Sequence, residues 1–162
     1  ESEAAAGVLF GMTESLVSVL GPSSSPFDLQ PPSYDSLKRL YCRNGGNFLR
    51  VLPGGAVEGT VQERDPYTVL KVKAVSPGVV VIRGQEAGRY LAMDRSGKLY
   101  GSALLNDECY FTEKMEENHY NTYSSHTHQE HGVWYVGIKK NGQMKRGPNT
   151  HTGQNAVFFL PL

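Results

Sequence analysis

Apolar and polar residues alternate along the chain on either side of three glycines, Gly55, Gly97 and Gly142. An aromatic residue stands seven positions before each glycine, apolar residues stand six and four positions before it, and another stands two positions after it. Side chains at steps of two share one face of a strand, so each unit is predicted to be a β-hairpin with one buried face. The matched positions are Phe48, Leu49, Val51 and Val57 in the first unit, Tyr90, Leu91, Met93 and Leu99 in the second, and Tyr135, Val136, Ile138 and Met144 in the third.

The residues that precede each glycine favour a tight turn. Their sequences are Leu52-Pro-Gly-Gly, Asp94-Arg-Ser-Gly and Lys139-Lys-Asn-Gly, and each places glycine where a positive φ is needed. A further apolar strand follows each hairpin, so each unit is about four strands long. Three such units predict an all-β fold, the β-trefoil, with about twelve strands, because propellers typically need at least about four blades. The second and third glycines are 45 residues apart, and the first two are 42 apart; the extra residues are assigned to a loop between residues 118 and 132.

The segment before the first hairpin differs in composition. Residues 21–36 are rich in proline and serine, which block helix and sheet alike and favour an extended chain. Residues 1–36 are therefore predicted to be a flexible N-terminal tail, and residues 37–162 the β-trefoil domain. Residues 13–20 are predicted to form at most a short amphipathic helix capped by Thr13. Because this segment has no basic leader and no unbroken apolar stretch, no signal peptide is expected.

Charge is balanced overall but unevenly distributed. The chain has 16 Lys and Arg residues against 16 Asp and Glu residues, so no global field draws it to nucleic acid or to an anionic membrane. After Glu130 there are four cations and no acidic residue, Lys139, Lys140, Lys145 and Arg146. This segment is either an ordinary solvated face or an anion-binding surface. No apolar run approaches the roughly 18–20 residues of a membrane-spanning helix, so no membrane insertion is expected.

The sequence offers no constellation for catalysis. It contains no G-x-S-x-G, no H-E-x-x-H and no phosphate-binding glycine-rich loop followed by Lys-Ser/Thr. Glu116 and Glu117 are adjacent carboxylates, but neighbours on a strand point to opposite faces. The chain is therefore predicted not to be an enzyme and to need no cofactor.

Histidine and cysteine give two further hypotheses. The spacing of His126, His128 and His131, with His119 as a further candidate, gives the hypothesis of a Cu²⁺ or Zn²⁺ site. Loop histidines are more often solvated, and no physiological metal is predicted. Cys42 and Cys109 each lie in an apolar, strand-like context. They are predicted to be buried free thiols, with a disulfide between them as the alternative.

Several motifs resemble those of the fibroblast growth factor family. They are Leu40-Tyr-Cys-Arg-Asn-Gly-Gly-Asn-Phe-Leu-Arg, Tyr90-Leu-Ala-Met-Asp, Leu99-Tyr-Gly-Ser, Glu116-Glu-Asn-His-Tyr-Asn-Thr-Tyr and Phe158-Phe-Leu-Pro-Leu. The resemblance covers about residues 37–162. It implies a β-trefoil growth factor that binds heparin, activates fibroblast growth factor receptor tyrosine kinases with heparan sulfate as co-receptor, and promotes proliferation, differentiation and angiogenesis.

The resemblance also implies two sets of binding residues. The implied heparin-binding residues are Asn44, Lys139, Lys140, Asn141, Lys145, Arg146, Gln154 and Ala156. Two cations of the family are replaced here by Asn149 and Asn155, so a weakened heparin affinity is expected. The implied receptor-binding residues are Tyr41, Glu113, Asn118, Tyr120, Leu160 and Leu162. Tyr120 is flanked by polar residues and is expected to be exposed, while Leu160 is either core or surface.

The implied partners are a receptor ectodomain and heparan sulfate, and nucleic acid is not expected. The chain is predicted to be a monomer alone, with dimerisation on heparin left open. It is expected to act outside the cell after export without a classical signal peptide, with a cytoplasmic pool left open. The alternative functions are a non-signalling intracellular homologue and a lectin-like β-trefoil. Lectin trefoils usually repeat their binding residues in each unit, whereas the cationic turn here belongs to the third unit alone.

Overall fold

The computed structural model describes residues 37–162, so the predicted flexible tail and the predicted helix at residues 13–20 lie outside the described residues. The described chain is all-β with short 3₁₀ turns. Its strands are β1 (Leu37–Lys38), β2 (Leu40–Cys42), β3 (Phe48–Val51), β4 (Val57–Thr60), β5 (Leu70–Ser76), β6 (Val79–Gly84), β7 (Tyr90–Met93), β8 (Leu99–Ser102), β9 (Tyr110–Met115), β10 (Asn121–Ser125) and β11 (Phe159–Pro161). Its 3₁₀ turns are Pro66–Thr68, Asp107–Cys109, Gly147–Asn149 and Asn155–Val157.

The strands outside the hairpins close into a barrel. β1 pairs with β5, and β5, β6, β9, β10, β11 and β2 follow as antiparallel neighbours. Only Arg39 separates β1 from β2, and its backbone exchanges two hydrogen bonds with Leu162, at 2.9 and 2.8 Å. The path of paired strands therefore begins at β1 and ends at β2, which are two parts of one extended segment. The barrel is closed in this way and has few exposed edges.

The three predicted hairpins form and cap one end of this barrel. The first turn (residues 52–55), the second turn (94–97) and the third turn (139–142) each end in a glycine with positive φ, of 98°, 87° and 91°. Each turn glycine also accepts a hydrogen bond from the backbone of another hairpin. The bonds are Gly101 N to Gly55 O at 2.8 Å, Gly147 N to Gly97 O at 2.9 Å and Gly59 N to Gly142 O at 2.7 Å. This ring of three equivalent bonds is the threefold closure of the β-trefoil, and it confirms the predicted fold.

The strand count differs from the prediction. The described residues contain eleven strands rather than twelve. The two arms of the third hairpin do not count as strands, because they have only single bridges, Ser124 with Tyr135 and Ile138 with Met144, while Arg39 divides the first strand of the barrel into β1 and β2. The backbone donors of its first arm go elsewhere, Val136 N to Tyr123 O at 2.7 Å and Ile138 N to Ala156 O at 3.0 Å. The two arms are still joined by Lys139 N to Gln143 O and Lys145 N to Gly137 O, both at 2.8 Å, but these bonds do not form a continuous ladder.

The predicted loop between residues 118 and 132 is partly wrong. β10 (Asn121–Ser125) lies inside it and pairs with β9 along its whole length. All side chains of this strand except that of Tyr123 are polar, which hid it from the hydrophobic pattern. The rest of the range is the turn before β10 and a loop after Ser125, which is closed by Gly132 with φ of 112°.

The core is built from the positions that the repeat predicts. The residues six positions before the turn glycines, Leu49, Leu91 and Val136, are no more than 1% exposed. They join barrel residues such as Phe111 and Phe159 in one buried cluster. Burying each such side chain contributes about 1.5–3 kcal/mol. Among residues 37–162, no helix has the length and apolarity needed to cross a membrane.

Candidate functional site

The third turn presents two lysines to solvent. Lys139 O accepts from Gly142 N at 2.9 Å, and Lys139 N donates to Gln143 O at 2.8 Å. The Asn141 side chain accepts from Gln143 N at 3.0 Å, which leaves its amide group toward solvent. Lys139, Lys140 and Asn141 are all exposed. The turn is therefore a rigid support for two free ammonium groups.

The loop after β2 supports the third turn from beneath. Asn44 Nδ2 donates to Ile138 O at 3.0 Å, which brings this predicted residue beside the turn. Asn47 Nδ2 donates to the carbonyls of Lys139 and Lys140, both at 3.3 Å. Asn47 is only 2% exposed, so it positions the turn rather than contacting a ligand. Sequence reasoning missed Asn47, although an amide residue between Gly-Gly and a buried strand was a usable signal.

Three further predicted residues lie on the same side of the third hairpin. Lys145 is half-buried, and its N–H donates to Gly137 O at 2.8 Å. Gln154 Nε2 donates to Asn149 O at 3.0 Å, which fixes the amide at the end of the loop. Ala156 is buried at 4% exposure, and its carbonyl accepts from Ile138 N at 3.0 Å. Ala156 can therefore shape this surface through its backbone but offers it no side chain.

Arg146 faces away from the other cations. Its Nη2 donates to Ser96 O at 2.8 Å, so the guanidinium lies against the second turn. Asp94 in that turn is close enough for the Arg146 charge to contribute to lowering its pKa. The structure thus brings together Asn44, Lys139, Lys140, Asn141, Lys145 and Gln154, called the cationic surface below, and places Arg146 beside it rather than within it.

The implied receptor residues lie on three strands, β9, β11 and β2, on the turn between β9 and β10, and directly after β11. Tyr41 and Leu160 stand directly opposite each other across β2 and β11. The Tyr41 ring meets Phe48 edge-on, with centroids 5.4 Å apart. Leu160 is half-buried, so it is neither fully core nor fully surface. Leu162 is 61% exposed.

Tyr120 is held more firmly than its polar flanks predicted. It is half-buried rather than exposed, because its ring centroid lies 6.2 Å from that of Phe158. The Arg43 guanidinium also lies over this ring, 5.3 Å from its centroid. Sequence reasoning missed Arg43. Its position directly before Asn44 links the Tyr120 ring to the cationic surface.

Glu113 and Asn118 are also engaged within the chain. Glu113 Oε2 accepts from the Tyr123 hydroxyl at 2.8 Å, and burial together with this carboxylate raises the pKa of Tyr123. The Asn118 side chain accepts from Tyr120 N at 3.0 Å. His119 adopts a φ of 69° in this turn, which allows Tyr120 to turn back toward β11. We call Tyr41, Glu113, Asn118, Tyr120, Leu160 and Leu162 the aromatic surface.

Both cysteines are buried free thiols, as predicted. Cys42 Sγ is 3.3 Å from Ala156 O, and burial raises its pKa. Burial also raises the pKa of Cys109 to about 11. Both thiols therefore stay protonated near neutral pH and are poor nucleophiles.

The histidines of the loop after β10 face different partners. His128 Nε2 is 2.8 Å from Glu108 Oε2, whereas His131 stacks on Trp134 with centroids 6.3 Å apart. Among residues 37–162, no group of three or more His, Cys, Asp or Glu side chains is arranged to hold a metal ion. Glu108 also accepts from the Tyr100 hydroxyl. Burial, followed by this bond, raises the pKa of Tyr100 to about 12.

Comparison with known proteins matches nearly the whole chain. A family model described as Fibroblast growth factor matches residues 36–160. Fibroblast growth factor 1 of Xenopus laevis is 50% identical over 151 residues, covering 93% of this chain and 97% of the relative. Fibroblast growth factor 1 of Cynops pyrrhogaster is 53% identical over 136 residues, covering 84% and 91%. A Danio rerio protein provisionally assigned as fibroblast growth factor 1 is 57% identical over 150 residues, covering 93% and 95%.

The similarity extends farther than the motif resemblance predicted. A match that covers 93% of the chain cannot fit within residues 37–162 alone, so it includes much of the segment before Leu37. The predicted boundary between residues 36 and 37 stays a prediction.

Proposed function

Since the chain belongs to the fibroblast growth factor family, we propose that it is a heparin-binding growth factor that activates fibroblast growth factor receptor tyrosine kinases with heparan sulfate as co-receptor. The family consists of non-enzymatic signalling ligands, and the chain is a growth factor of this kind. The observation that carries the proposal is the juxtaposition of the cationic and aromatic surfaces through Arg43 and Asn44.

The cationic surface supports sulfate binding. Lys139 and Lys140 project from a turn whose carbonyls are held by Asn47, so little backbone ordering is needed when a ligand binds. Ammonium groups attract sulfates in a salt-sensitive way, while the amides of Asn141 and Gln154 supply directional donors. No acidic residue follows Glu130, which leaves this part of the chain without an acidic side chain of its own.

The aromatic surface supports receptor binding. Half-exposed tyrosines with a nearby arginine are the residue types enriched among binding hot spots. Tyr120 is held by contacts with both Arg43 and Phe158, so it loses little freedom when a partner covers it. Leu162 is exposed, while its backbone is held by Arg39 at 2.9 and 2.8 Å. These features suit a preformed protein-binding surface.

The place of action follows from the partners. A receptor ectodomain and heparan sulfate both face the outside of the cell, so we propose that the chain acts there, after export by a route that needs no classical signal peptide. A cytoplasmic pool is compatible with such a route. We further propose that the chain is a monomer alone and that any dimer forms on a heparin chain carrying two binding sites.

Receptor phosphorylation tests this function most directly. Cells that express a fibroblast growth factor receptor but lack heparan sulfate are treated with the protein, with and without added heparin. We expect phosphorylation only with heparin and its loss in Tyr120→Ala. Tyr67→Ala is the matched control, because Tyr67 is also half-buried but lies in a 3₁₀ turn away from the aromatic surface. If folded wild-type protein gives no phosphorylation, the non-signalling intracellular homologue or the lectin-like β-trefoil is favoured instead.

Thermal unfolding tests the heparin site separately. A ligand that binds only the folded state raises the melting temperature by mass action, so heparin at low salt should stabilise the wild type. The double variant Lys139→Gln/Lys140→Gln should lose most of this shift. Lys98→Gln/Lys114→Gln is the control, because both lysines are exposed but lie outside the cationic surface. An unchanged wild-type melting temperature would show that the proposed site is absent.

A further inference from the structure

The end of β9 carries a methionine that the proposed function does not use. Met115 is the last residue of β9, and its side chain is 68% exposed. Folded proteins expose scattered apolar side chains, so exposure alone carries no function. Met115 differs from an ordinary exposed residue in its position in the fold and in the chemistry of its sulfur.

Met115 borders the aromatic surface. Side chains at steps of two share one face of a strand, so Met115 is on the face of β9 that carries Glu113. The turn that begins directly after Met115 holds Asn118 and Tyr120. Across the strands, Met115 stands opposite Asn121, which follows Tyr120 in the chain. Because methionine is enriched at protein interfaces, a partner that covers the aromatic surface would find an apolar contact here.

A chain of hydrogen bonds connects the neighbourhood of Met115 with the aromatic surface. Asn121 Nδ2 donates to the Tyr123 hydroxyl at 3.2 Å, and this hydroxyl donates to Glu113 Oε2 at 2.8 Å. Directly opposed side chains have Cβ atoms roughly 4.5–5.5 Å apart, so the Met115 side chain can reach the Asn121 amide. A thioether sulfur is only a weak acceptor, so the unmodified methionine does not compete for this donor.

The other methionines of the described chain are shielded from solvent. Met93 is 0% exposed in the main core, and Met144 is half-buried against that core. Met12 lies outside the described residues. Oxidation of a thioether requires that the oxidant reach the sulfur. Among residues 37–162, Met115 is therefore the methionine that a dissolved oxidant reaches first.

We propose that Met115 is an oxidation site and that its conversion to the sulfoxide by hydrogen peroxide weakens receptor binding at the aromatic surface. The sulfur lone pair attacks one peroxide oxygen, so an S–O bond forms, the O–O bond breaks and water leaves. Sulfur loses two electrons, and the peroxide is reduced by two.

The product changes this surface in two ways. The sulfoxide is polar, so it replaces an apolar contact with a group that a partner must desolvate. Its oxygen also accepts hydrogen bonds, so it competes with the Tyr123 hydroxyl for the Asn121 amide and disturbs the chain that holds Glu113. The effect on receptor binding rests on the proposed function, whereas the site of oxidation does not.

Peptide mass spectrometry after timed exposure of the full chain to hydrogen peroxide tests the site. Met115 should be oxidised at least about tenfold faster than Met93, and also faster than Met144. After the peroxide is removed, binding to a receptor ectodomain should be weaker by roughly five- to twentyfold, the scale of one lost interface contact. The rise in melting temperature with heparin should stay unchanged, because the cationic surface contains no methionine.

Three substitutions assign the effect to one sulfur. Met115→Leu should keep the affinity for the receptor within about twofold, since its volume is similar, and should make it insensitive to peroxide. Met115→Gln, with a polar side chain of similar length, should weaken binding without any peroxide. The matched control is Met12→Leu/Met144→Leu, which should remain as sensitive to peroxide as the wild type.

The outcomes separate this inference from the proposed function. Oxidation of Met93 or Met144 ahead of Met115 would overturn the site, and complete oxidation of Met115 with unchanged receptor affinity would overturn its effect. Failure of the proposed function gives a different result, in which the unoxidised wild type does not bind the receptor ectodomain even with heparin. That result would overturn the effect on the receptor, while mass spectrometry would still decide the site of oxidation.

Discussion

The first turn and the third turn have the same backbone but different side chains. Each turn glycine donates to the carbonyl three residues earlier, Gly55 to Leu52 and Gly142 to Lys139, both at 2.9 Å. In both turns the N–H of the first turn residue also donates to the carbonyl of the residue that follows the glycine, at 2.9 Å in the first turn and 2.8 Å in the third. Yet the residues between are proline and glycine in one turn, and lysine and asparagine in the other. The glycine thus specifies the turn, and the positions before it are available for function.

The surroundings of the two turns differ as well. The third turn rests on Asn47 and lies beside Asn44, which leaves both lysines free. Beneath the first turn, Arg89 donates to Pro53 O at 2.6 Å and to Gly101 O at 2.9 Å. A cation is therefore present at both turns, but at the first its guanidinium is used to hold the backbone. An anion-binding site needs cationic side chains that are not already hydrogen-bonded within the fold.

Replacing the turn glycines should give the largest effect and tests whether the turns share one backbone role. A Cβ at residue 142 would lie 2.8 Å from Gly59 O, and one at residue 55 would lie 3.1 Å from Gly101 O. Gly142→Ala should lower the free energy of unfolding by about 2–4 kcal/mol, from the left-handed φ plus the steric contact. Gly55→Ala should lower the free energy of unfolding by a smaller amount, because its steric contact is longer. Urea denaturation measures both.

Gly78→Ala is the matched control for this prediction. Gly78 also has a positive φ, of 74°, but a Cβ there would meet nothing within 4 Å. It should therefore show only the conformational cost, about 1–2 kcal/mol. Equal losses in all three variants would mean that the bonds between hairpins do not constrain the turns.

The second turn sharpens the comparison, because there a side chain stabilises the turn itself. Asp94 Oδ1 accepts from Ser96 N at 2.8 Å, Ser96 Oγ at 2.7 Å and Lys98 N at 3.0 Å. Burial raises the pKa of Asp94, but these bonds and the Arg146 charge outweigh it and lower the pKa below 3.8. Asp94→Ala should cost about 1–2 kcal/mol at pH 7.

The pH dependence of this loss has a definite sign. A carboxyl with a lowered folded-state pKa contributes stability above its unfolded pKa and loses it as pH falls through the folded pKa. The difference between wild type and Asp94→Ala should therefore shrink below about pH 4. Glu117→Ala, at an exposed carboxylate, should show little difference at either pH. A constant difference down to pH 2 would exclude the carboxylate as the cause.

Exchanging the turns tests whether function is separable from the fold. Lys139→Leu/Lys140→Pro/Asn141→Gly copies the first turn into the third. The variant should fold with stability within about 1 kcal/mol of the wild type, but should bind heparin roughly five- to thirtyfold more weakly, at about 0.5–1 kcal/mol for each lysine. Calorimetric titration with heparin measures the loss.

The reverse exchange is its control. Leu52→Lys/Pro53→Lys/Gly54→Asn gives the first turn the residues of the third. It should add little heparin affinity, because Asn44, Lys145 and Gln154 lie at the third turn. A strong gain would show that turn lysines alone suffice and that the surrounding residues are not needed.

The sequence predicts the fold well where the signal is local. A glycine with apolar residues at fixed offsets encodes each hairpin, and nine of the twelve matched positions are buried, while Val57, Tyr135 and Met144 are half-buried. The irregular third hairpin could not be predicted. Its arms are joined by isolated bonds and one bridge rather than by a continuous ladder, although its apolar positions match those of the other two hairpins. β10 was missed because a strand with polar side chains such as Thr122 and Ser124 lacks the apolar alternation that marks a half-buried strand.

The candidate sites show the same division. The resemblance supplied residue identities, and the cationic turn was visible in the sequence. The direction of Arg146 was not, because it is set by Ser96, fifty residues away. The roles of Asn47 and Arg43 also depend on contacts across the chain, with the third turn and with Tyr120. Which residues contact a ligand, and which position those that do, depends on tertiary contacts.

Restoring the two cations that the family resemblance leads one to expect should give the smallest effect. Asn149 and Asn155 are exposed near Gln154, whose amide donates to Asn149 O, a backbone atom that substitution leaves in place. Asn149→Arg and Asn155→Lys should each raise heparin affinity by roughly two- to fivefold at low salt, the size expected of one solvated cation. The gain should shrink as salt is raised, since exposed charges are screened. Ala103→Lys, an exposed position far along the chain, controls for net charge. If Ala103→Lys gives the same gain, heparin affinity depends on the total charge of the protein. The difference between the first and third turns would then not explain where heparin binds.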